Sequence, residues 1–254
     1  MKPTNLSRRE SKLVDTFVSA QLYEQKQIVR RNDIRGRTWR CERSIRSRLP
    51  LRQRRRRAAR LCGSGEGCRK AADQNLALAQ FNLGFSYENG DGVAKDKVEA
   101  VKWYRKAAEQ NFAMAQFSLG FCYANGVGGV KDKVEAVKWY RKAANQNHVL
   151  AQYTLGNSFA NGEGVAKDAV EAVKWYRKAA DQNYDLAQYN LGVCYAKGEG
   201  VAADDLESYK WMLLAAAQGQ EEAKKSMTII ENFMSPRQIV EAQRLVREFI
   251  RHRQ

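Results

Sequence analysis

Histidine is almost missing from this chain: its 254 residues carry two, His148 and His252. Ser-His or Cys-His nucleophilic chemistry and most zinc sites need imidazoles brought beside other donors. One histidine at a helix junction and one near the C-terminus do not supply that. Catalysis, a resident metal, a cofactor and a small-molecule substrate are therefore not expected. Long apolar runs are missing too, so no transmembrane helix of the usual ~20 apolar residues can be drawn. Met1-Lys2-Pro3-Thr4 leads into polar residues instead of the apolar core of a secretory signal.

Acidic residues are in deficit, and the net charge is +16. Such an excess ordinarily points to nucleic acid or an anionic surface. Its distribution removes that inference for most of the chain. Residues 1–70 hold 21 Lys and Arg against 6 Asp and Glu, whereas residues 71–254 hold 23 against 22.

What the chain has in abundance is itself. Lys-Trp-Tyr-Arg-Lys-Ala-Ala begins at Lys102, Lys138 and Lys174, 36 residues apart. A fixed period of this size is the mark of a solenoid, whose units bury their apolar faces only by stacking. At that period Ala79, Ala115, Ala151 and Ala187 form one column, and Leu83, Leu119, Leu155 and Leu191 another. Each Leu is followed by Gly and, four residues on, by an aromatic: Tyr87, Tyr123, Phe159 and Tyr195. That spacing is one helical face, here called helix A. Gly inside a helix costs about 1 kcal/mol against Ala, so the Gly84 column predicts a closely approaching neighbour.

A Gly-x-Gly loop follows helix A in each unit, as in Asn89-Gly90-Asp91-Gly92-Val93. No strand precedes it and no Gly-Lys-Ser/Thr follows, so it reads as a helix stop and turn, not a phosphate cradle. Asp96, Asp132, Asp168 and Asp204 stand three residues before Glu99, Glu135, Glu171 and Glu207, the spacing of a capping box at the start of helix B. Helix B is expected to bury Val98, Val101, Trp103, Tyr104, Ala107 and Ala108 and their equivalents. Lys102, Arg105 and Lys106 are expected on a solvated face, although basic residues beside stacked rings can also hold single-stranded nucleic acid.

The order Ala-Gln-Phe-Asn-Leu-Gly, Asn-Gly-x-Gly-Val and Asp-x-x-Glu-Ala-Val-Lys-Trp-Tyr, from about Arg69 to Gly219, resembles the Sel-1-like repeat, a relative of the tetratricopeptide repeat. The resemblance implies an all-α fold: an α-solenoid of antiparallel helix pairs in a right-handed superhelix. It also implies a scaffold or adaptor that holds a protein or peptide partner on the concave helix A surface. In tetratricopeptide units that surface uses fixed helix A positions, which here are Phe81, Phe85 and Glu88; Phe117, Phe121 and Ala124; Tyr153, Asn157 and Ala160; Tyr189, Val193 and Ala196. The first column is aromatic throughout, which suits packing. The second changes from Phe to Asn to Val, as a partner-selecting surface or as structural filler. Some family members staple each unit with a cysteine pair. This chain has Cys41, Cys62, Cys68, Cys122 and Cys194, with only Cys122 and Cys194 in complete units and two repeats apart. Buried thiols in a reducing compartment, the cytoplasm, are expected.

The basic surplus centres on Arg52 to Arg60, which by itself reads as a nucleic-acid or nuclear-targeting segment. Another origin fits. Read one base later, residues 53–66 can encode Asn-Gly-Asp/Glu-Gly-Val-x-x-Asp-x-Val-Glu-Ala-Val-Lys, the unit found at 89–102 displaced by one period. Residues 36–68 then read as a repeat translated out of frame, and the arginine tract as its by-product. Binding of nucleic acid or an anionic surface through it is the alternative function. Upstream, Leu13, Val14, Phe17, Val18 and Leu22 fit one face of an amphipathic helix, with disorder the other reading.

The chain thus divides into a basic segment at 1–68, repeats at 69–234, with four full units and partial ones at both ends, and a final helix at 235–254. In the fifth unit Met227-Thr228 replaces Leu-Gly, and Ser235-Pro236-Arg237-Gln238 reads as a new helix start. That helix either caps the stack or docks a partner. The frame reading is checked by resequencing the gene and by mass spectrometry of the purified protein. An intact frame in independent isolates, with abundant peptides from Gln53 to Cys68, would refute it.

Overall fold

The computed structural model describes residues 65–252, and the calls on the leading basic segment, its amphipathic helix, its arginine tract and Cys41 and Cys62 lie outside them. The described elements are α1 (Gly65–Asp73), α2 (Ala77–Asn89), α3 (Lys97–Glu109), α4 (Ala113–Asn125), α5 (Lys133–Asn145), α6 (Val149–Asn161), α7 (Ala169–Asp181), α8 (Asp185–Lys197), α9 (Asp205–Ala217), α10 (Glu221–Glu231) and α11 (Pro236–Arg251). Units one to four are α2–α3, α4–α5, α6–α7 and α8–α9, and each of their helices has 13 residues. From α1 to α10 each helix packs on its neighbours in sequence. The chain is an α-solenoid, as the period requires.

Helix B buries Ala100, Trp103, Tyr104, Ala107 and Ala108, an unbroken i, i+3, i+4, i+7, i+8 face. Val98 does not join it: Val98, Val134 and Val170 are more than half exposed. Standing two residues before Ala100, each points to the opposite side of the helix. The Gly84 column meets the expected neighbour. A methyl group on Gly156 would lie 2.6 Å from the Tyr176 ring, and the same near-contact recurs between Gly84 and Tyr104 and between Gly120 and Tyr140.

Each unit also closes on the one before it. Gly164, in the loop after α6, adopts φ +72° and abuts the start of α5, where an added methyl would fall 2.1 Å from the Lys133 carbonyl oxygen. Only glycine satisfies both the left-handed backbone and that clearance.

The expected capping boxes form by half. Asp132 and Asp168 cap the Glu135 and Glu171 amides, and Asp96 and Asp204 act alike. The return bond is absent, because the cap residue's own N–H already donates to helix A: Asp96 to Tyr87 O at 2.9 Å, Asp132 to Tyr123 O at 2.8 Å. The glutamates pair instead with the lysines three residues on, Lys102, Lys138, Lys174 and Lys210. At α11 the box from Ser235 and Gln238 is complete.

A buried amide column links the junctions. Gln80, Gln116, Gln152 and Gln188 are at most 3% exposed. Gln116 Nε2 donates to the Ala108 carbonyl at 3.2 Å and to Asn111 Oδ1 at 3.1 Å, while its Oε1 accepts from Gln146 Nε2 at 2.7 Å. Gln80 and Gln188 repeat the pattern. The asparagines end helix B in the left-handed region, with φ from 61° to 65° at Asn75, Asn111, Asn147 and Asn183, a conformation Asn tolerates better than most residues.

The fifth unit breaks the pattern. Thr228 occupies the position of the helix A glycine, so no partner helix can nest there, and α11 packs on α9 rather than on α10. Phe249 meets Trp211 edge-on at 5.4 Å, and Val246 joins the core around Leu214.

Two glycine variants test this spacing. Gly156→Ala is expected to lower unfolding stability by about 1–3 kcal/mol through overpacking. Gly129→Ala is expected to be near neutral, since nothing lies within 4 Å of an added methyl there. Chemical denaturation of both checks the contrast, and equal effects would refute it.

Candidate interaction surface

The helix A positions singled out by the repeat separate into three environments. The first column is a spine of rings. Phe81 lies 5.6 Å from both Tyr104 and Phe112; Phe117 lies 5.6 Å from Tyr140 and 5.0 Å from His148; Tyr153 lies 6.1 Å from Tyr176 and 5.1 Å from Tyr184. Each ring thus touches helix B of its own unit and the residue that opens the next helix A. Phe117 and Tyr153 are buried at 9% and 1% exposure, while Phe81 and Tyr189 are half-buried.

The second column, Phe85, Phe121, Asn157 and Val193, is half-buried in every unit. Phe85 and Val193 lean on the core, and Asn157 Oδ1 accepts from the Tyr176 hydroxyl at 2.7 Å and from Asn190 Nδ2 at 3.3 Å. In the third column Glu88 accepts from the Tyr104 hydroxyl, Ala124 and Ala160 are half-buried, and Ala196 is exposed. Burial, then the adjacent Glu88, raises the Tyr104 phenol well above its ordinary value. The surface left on helix A is therefore a strip of mixed apolar and amide groups that changes along the stack.

On helix B the basic residues are more ordered than a solvated face requires. Lys106, Lys142 and Lys178 sit 3.9 to 4.0 Å from the ring centroids of Trp103, Trp139 and Trp175. Arg105 and Arg177 lie over Tyr123 and Tyr195 of the next helix A and donate to their hydroxyls. Lys102, Arg105 and Lys106 are all exposed, as expected, and the Lys102 column is paired with glutamate. The arginine latches and the glutamine ladder escaped the sequence reading. Their only signal was constancy at polar positions, which looks the same for a solvated residue.

Among the described residues, no three His, Cys, Asp or Glu side chains gather to hold a metal ion. Cys122 and Cys194 are free thiols. Burial first, with Glu88 adding, pushes Cys122 up to about 12, and burial pushes Cys194 up to about 11, so neither forms a ready thiolate. His148 is built into the junction between α5 and α6. It opens α6, its Nδ1 accepts from Ala151 N at 3.3 Å, and its ring stacks on Phe117.

A model of the Sel1 repeat family matches residues 77–112, 113–148, 149–184 and 185–220. Among solved structures, the chain is similar to a Sel1 repeat protein from Oxalobacter formigenes, with 40% identity and TM-score 0.58 over 67% of this chain and 66% of that one. It is also similar to c5321, a protective antigen present in uropathogenic Escherichia coli strains that displays an SLR fold. There the identity is 33% and the TM-score 0.69, over 78% of this chain and 45% of that one. The chain thus spans less than two thirds of either relative's length. No curated protein matches it.

Burial lowers the His148 pKa from 6.5 to about 4. Between those values the unfolded chain binds a proton that the folded one refuses, so this contribution to stability is whole above 6.5 and declines as pH falls toward 4. His148→Phe keeps a ring, as Phe112 does one unit earlier, and removes the titration. The variant is expected to gain on the parent as pH falls through that window. Denaturant titrations across it check this, and parallel stability curves would count against it.

Proposed function

The chain belongs to the Sel1 repeat family, and from that premise we propose that it is a non-catalytic scaffold holding a protein or peptide partner on the helix A strip. Sel1 repeat proteins are generally protein–protein interaction scaffolds. The observation that carries the reading is the contrast between columns. The first column keeps an aromatic ring in all four units, and in the first three that ring packs against rings of two other elements. The second keeps one degree of burial while its chemistry runs from Phe85 and Phe121 through Asn157 to Val193. A position whose burial is fixed and whose side chain is free to differ is where a solenoid can encode a partner without disturbing its packing.

Contact residues in this reading are Phe85, Phe121, Asn157 and Val193, with Phe81, Tyr189 and Glu88 at the strip's edges and Phe117 and Tyr153 as buried supports. Two free, poorly ionised thiols suit a reducing compartment, which we take to be the cytoplasm. Among the described residues no helix is long and apolar enough to cross a membrane.

Affinity capture with the full chain tests the reading. Phe121→Ala alone, and together with Phe85→Ala, is expected to lose the captured partner by about tenfold or more, as truncation of an aromatic anchor does. Val98→Ala, on the exposed side of helix B, is expected to retain it. Phe85 also packs on the core, so the Phe121 single variant decides the matter, provided its unfolding midpoint matches the parent. Undiminished capture by that variant would overturn the helix A assignment.

A further inference from the structure

One groove departs from its repeats in two ways that converge. Four arginines at the same helix B position, Arg69, Arg105, Arg141 and Arg177, lie 5.5 to 5.8 Å over a ring of the following helix A. In three of them the ring is tyrosine and its hydroxyl accepts from the guanidinium. Arg141 faces Phe159, which has no hydroxyl. Among the described residues its guanidinium has no hydrogen-bond acceptor and no ion-pair partner, and it is exposed.

One turn further, Asn145 stands where units one and three carry Glu109 and Asp181. Arg141, Lys142 and Asn145 line a groove of about 400 Å³ whose apolar side is Val134, Val137 and Val165. The third cation there, Lys138, is paired with Glu135 at 2.8 Å, and Lys142 is held 4.0 Å over Trp139. The parallel groove one unit earlier, of about 430 Å³, includes Glu99 and Glu109 in its lining. The α5 groove has no acid in its own.

We propose that this groove is a second binding site, on helix B, for an acidic peptide segment: Arg141 takes a side-chain carboxylate, and Val134, Val137 and Val165 take an aliphatic neighbour. The guanidinium offers planar paired donors that match a carboxylate, and stacking on Phe159 fixes its position beforehand. The valines partly exclude water from that pair, which strengthens it.

The chain supplies its own comparison at α9. There the equivalents of Arg141 and Lys142 are Leu213 and Leu214, and α11 covers that helix, with Phe249 against Trp211. Where the helix B face is closed internally it is aliphatic; where it stays open it is cationic with valine beside it. A nucleic acid fits less well, because the groove presents valines where base stacking needs open aromatic faces, and residues 71–254 are nearly charge-balanced.

The site goes beyond the helix A reading and does not depend on it. Its probe is a fluorescein-labelled, C-terminally amidated peptide of alternating Glu and Leu, followed by anisotropy with the full chain. Arg141→Gln and Asn145→Glu are each expected to weaken binding by about tenfold or more, the value of a hydrogen bond to a charged group. Phe159→Tyr is expected to weaken it less, by giving Arg141 an internal partner. Arg177→Gln and Phe121→Ala are expected to leave it unchanged, with unfolding midpoints showing that each variant is folded.

Several results would overturn the proposal: no binding of the acidic peptide, equal binding of its Gln-Leu counterpart, equal losses at Arg141→Gln and Arg177→Gln, or tighter binding of oligothymidylate. A peptide with a free C-terminus and its Glu residues changed to Gln serves as a further arm. Its binding as tightly as the Glu-Leu probe would mean that the groove reads chain ends, which overturns the side-chain assignment.

Discussion

Helix spacing in this stack is set at points where nothing larger than hydrogen fits. Within a unit, the glycine of helix A lies under the aromatic ring of helix B, with 2.6 to 2.8 Å left for a methyl group at Gly84, Gly120 and Gly156. Between units, the second loop glycine presses on the preceding helix B, with 2.1 to 2.3 Å left at Gly128, Gly164 and Gly200. The first set fixes how deeply B nests on A; the second fixes how closely one pair follows another. Every other contact assumes those two distances. The fifth unit shows the dependence, because with Thr228 in place of the glycine the next helix does not nest on α10 but crosses α9.

The amide ladder follows from that closeness. Ends of helices leave backbone groups that need partners, and the glutamine at each junction is itself buried and must find its own. Gln116 answers by spanning three elements at once, reaching the carbonyl at the end of α3, the Asn111 amide after it and the Gln146 amide after α5. A leucine of similar size would fill the same space but forgo all three bonds, each worth about 0.5–1.5 kcal/mol net. A fully satisfied amide also accepts only one register, whereas an apolar contact tolerates sliding. The ring spine supplies area and the ladder supplies position.

Much of this fold was legible because stacking forces periodicity on whatever it buries. The Ala79, Leu83 and Gly84 columns announced helix A, and the Asp96 column announced the start of helix B. What stayed illegible was polar or lay across the fold. Gln80 and Arg105 recur as faithfully as Leu83, yet recurrence of a polar residue has no single meaning until its neighbours are known. The capping box misled for a similar reason: the Asp–Glu spacing was present, but the N–H that the glutamate would have taken already belonged to a carbonyl of helix A, a partner nine residues upstream. Val98 misled because an apolar residue near a helix start falls on either side with one small change of phase. The leading basic segment offered strong sequence signals of two incompatible kinds, which composition alone could not separate.

Both proposed sites sit in departures of the chain from its own repeat. Constant columns hold the stack together, so each differs little from unit to unit whatever the partner. Departures are tolerated where the stack can absorb a change of side chain, and there selection by a ligand can act. Asn157 and Val193 depart in sequence from Phe85 and Phe121 on helix A. Asn145 and Phe159 depart on two different helices, 14 positions apart, and their common consequence, an arginine with its donors free beside three valines, exists only once α5 and α6 are stacked. Because neighbouring units are rigidly spaced, a partner that engages one such site meets the next at a fixed offset. Its second contact is then intramolecular, and modest affinities at single units can combine along the stack.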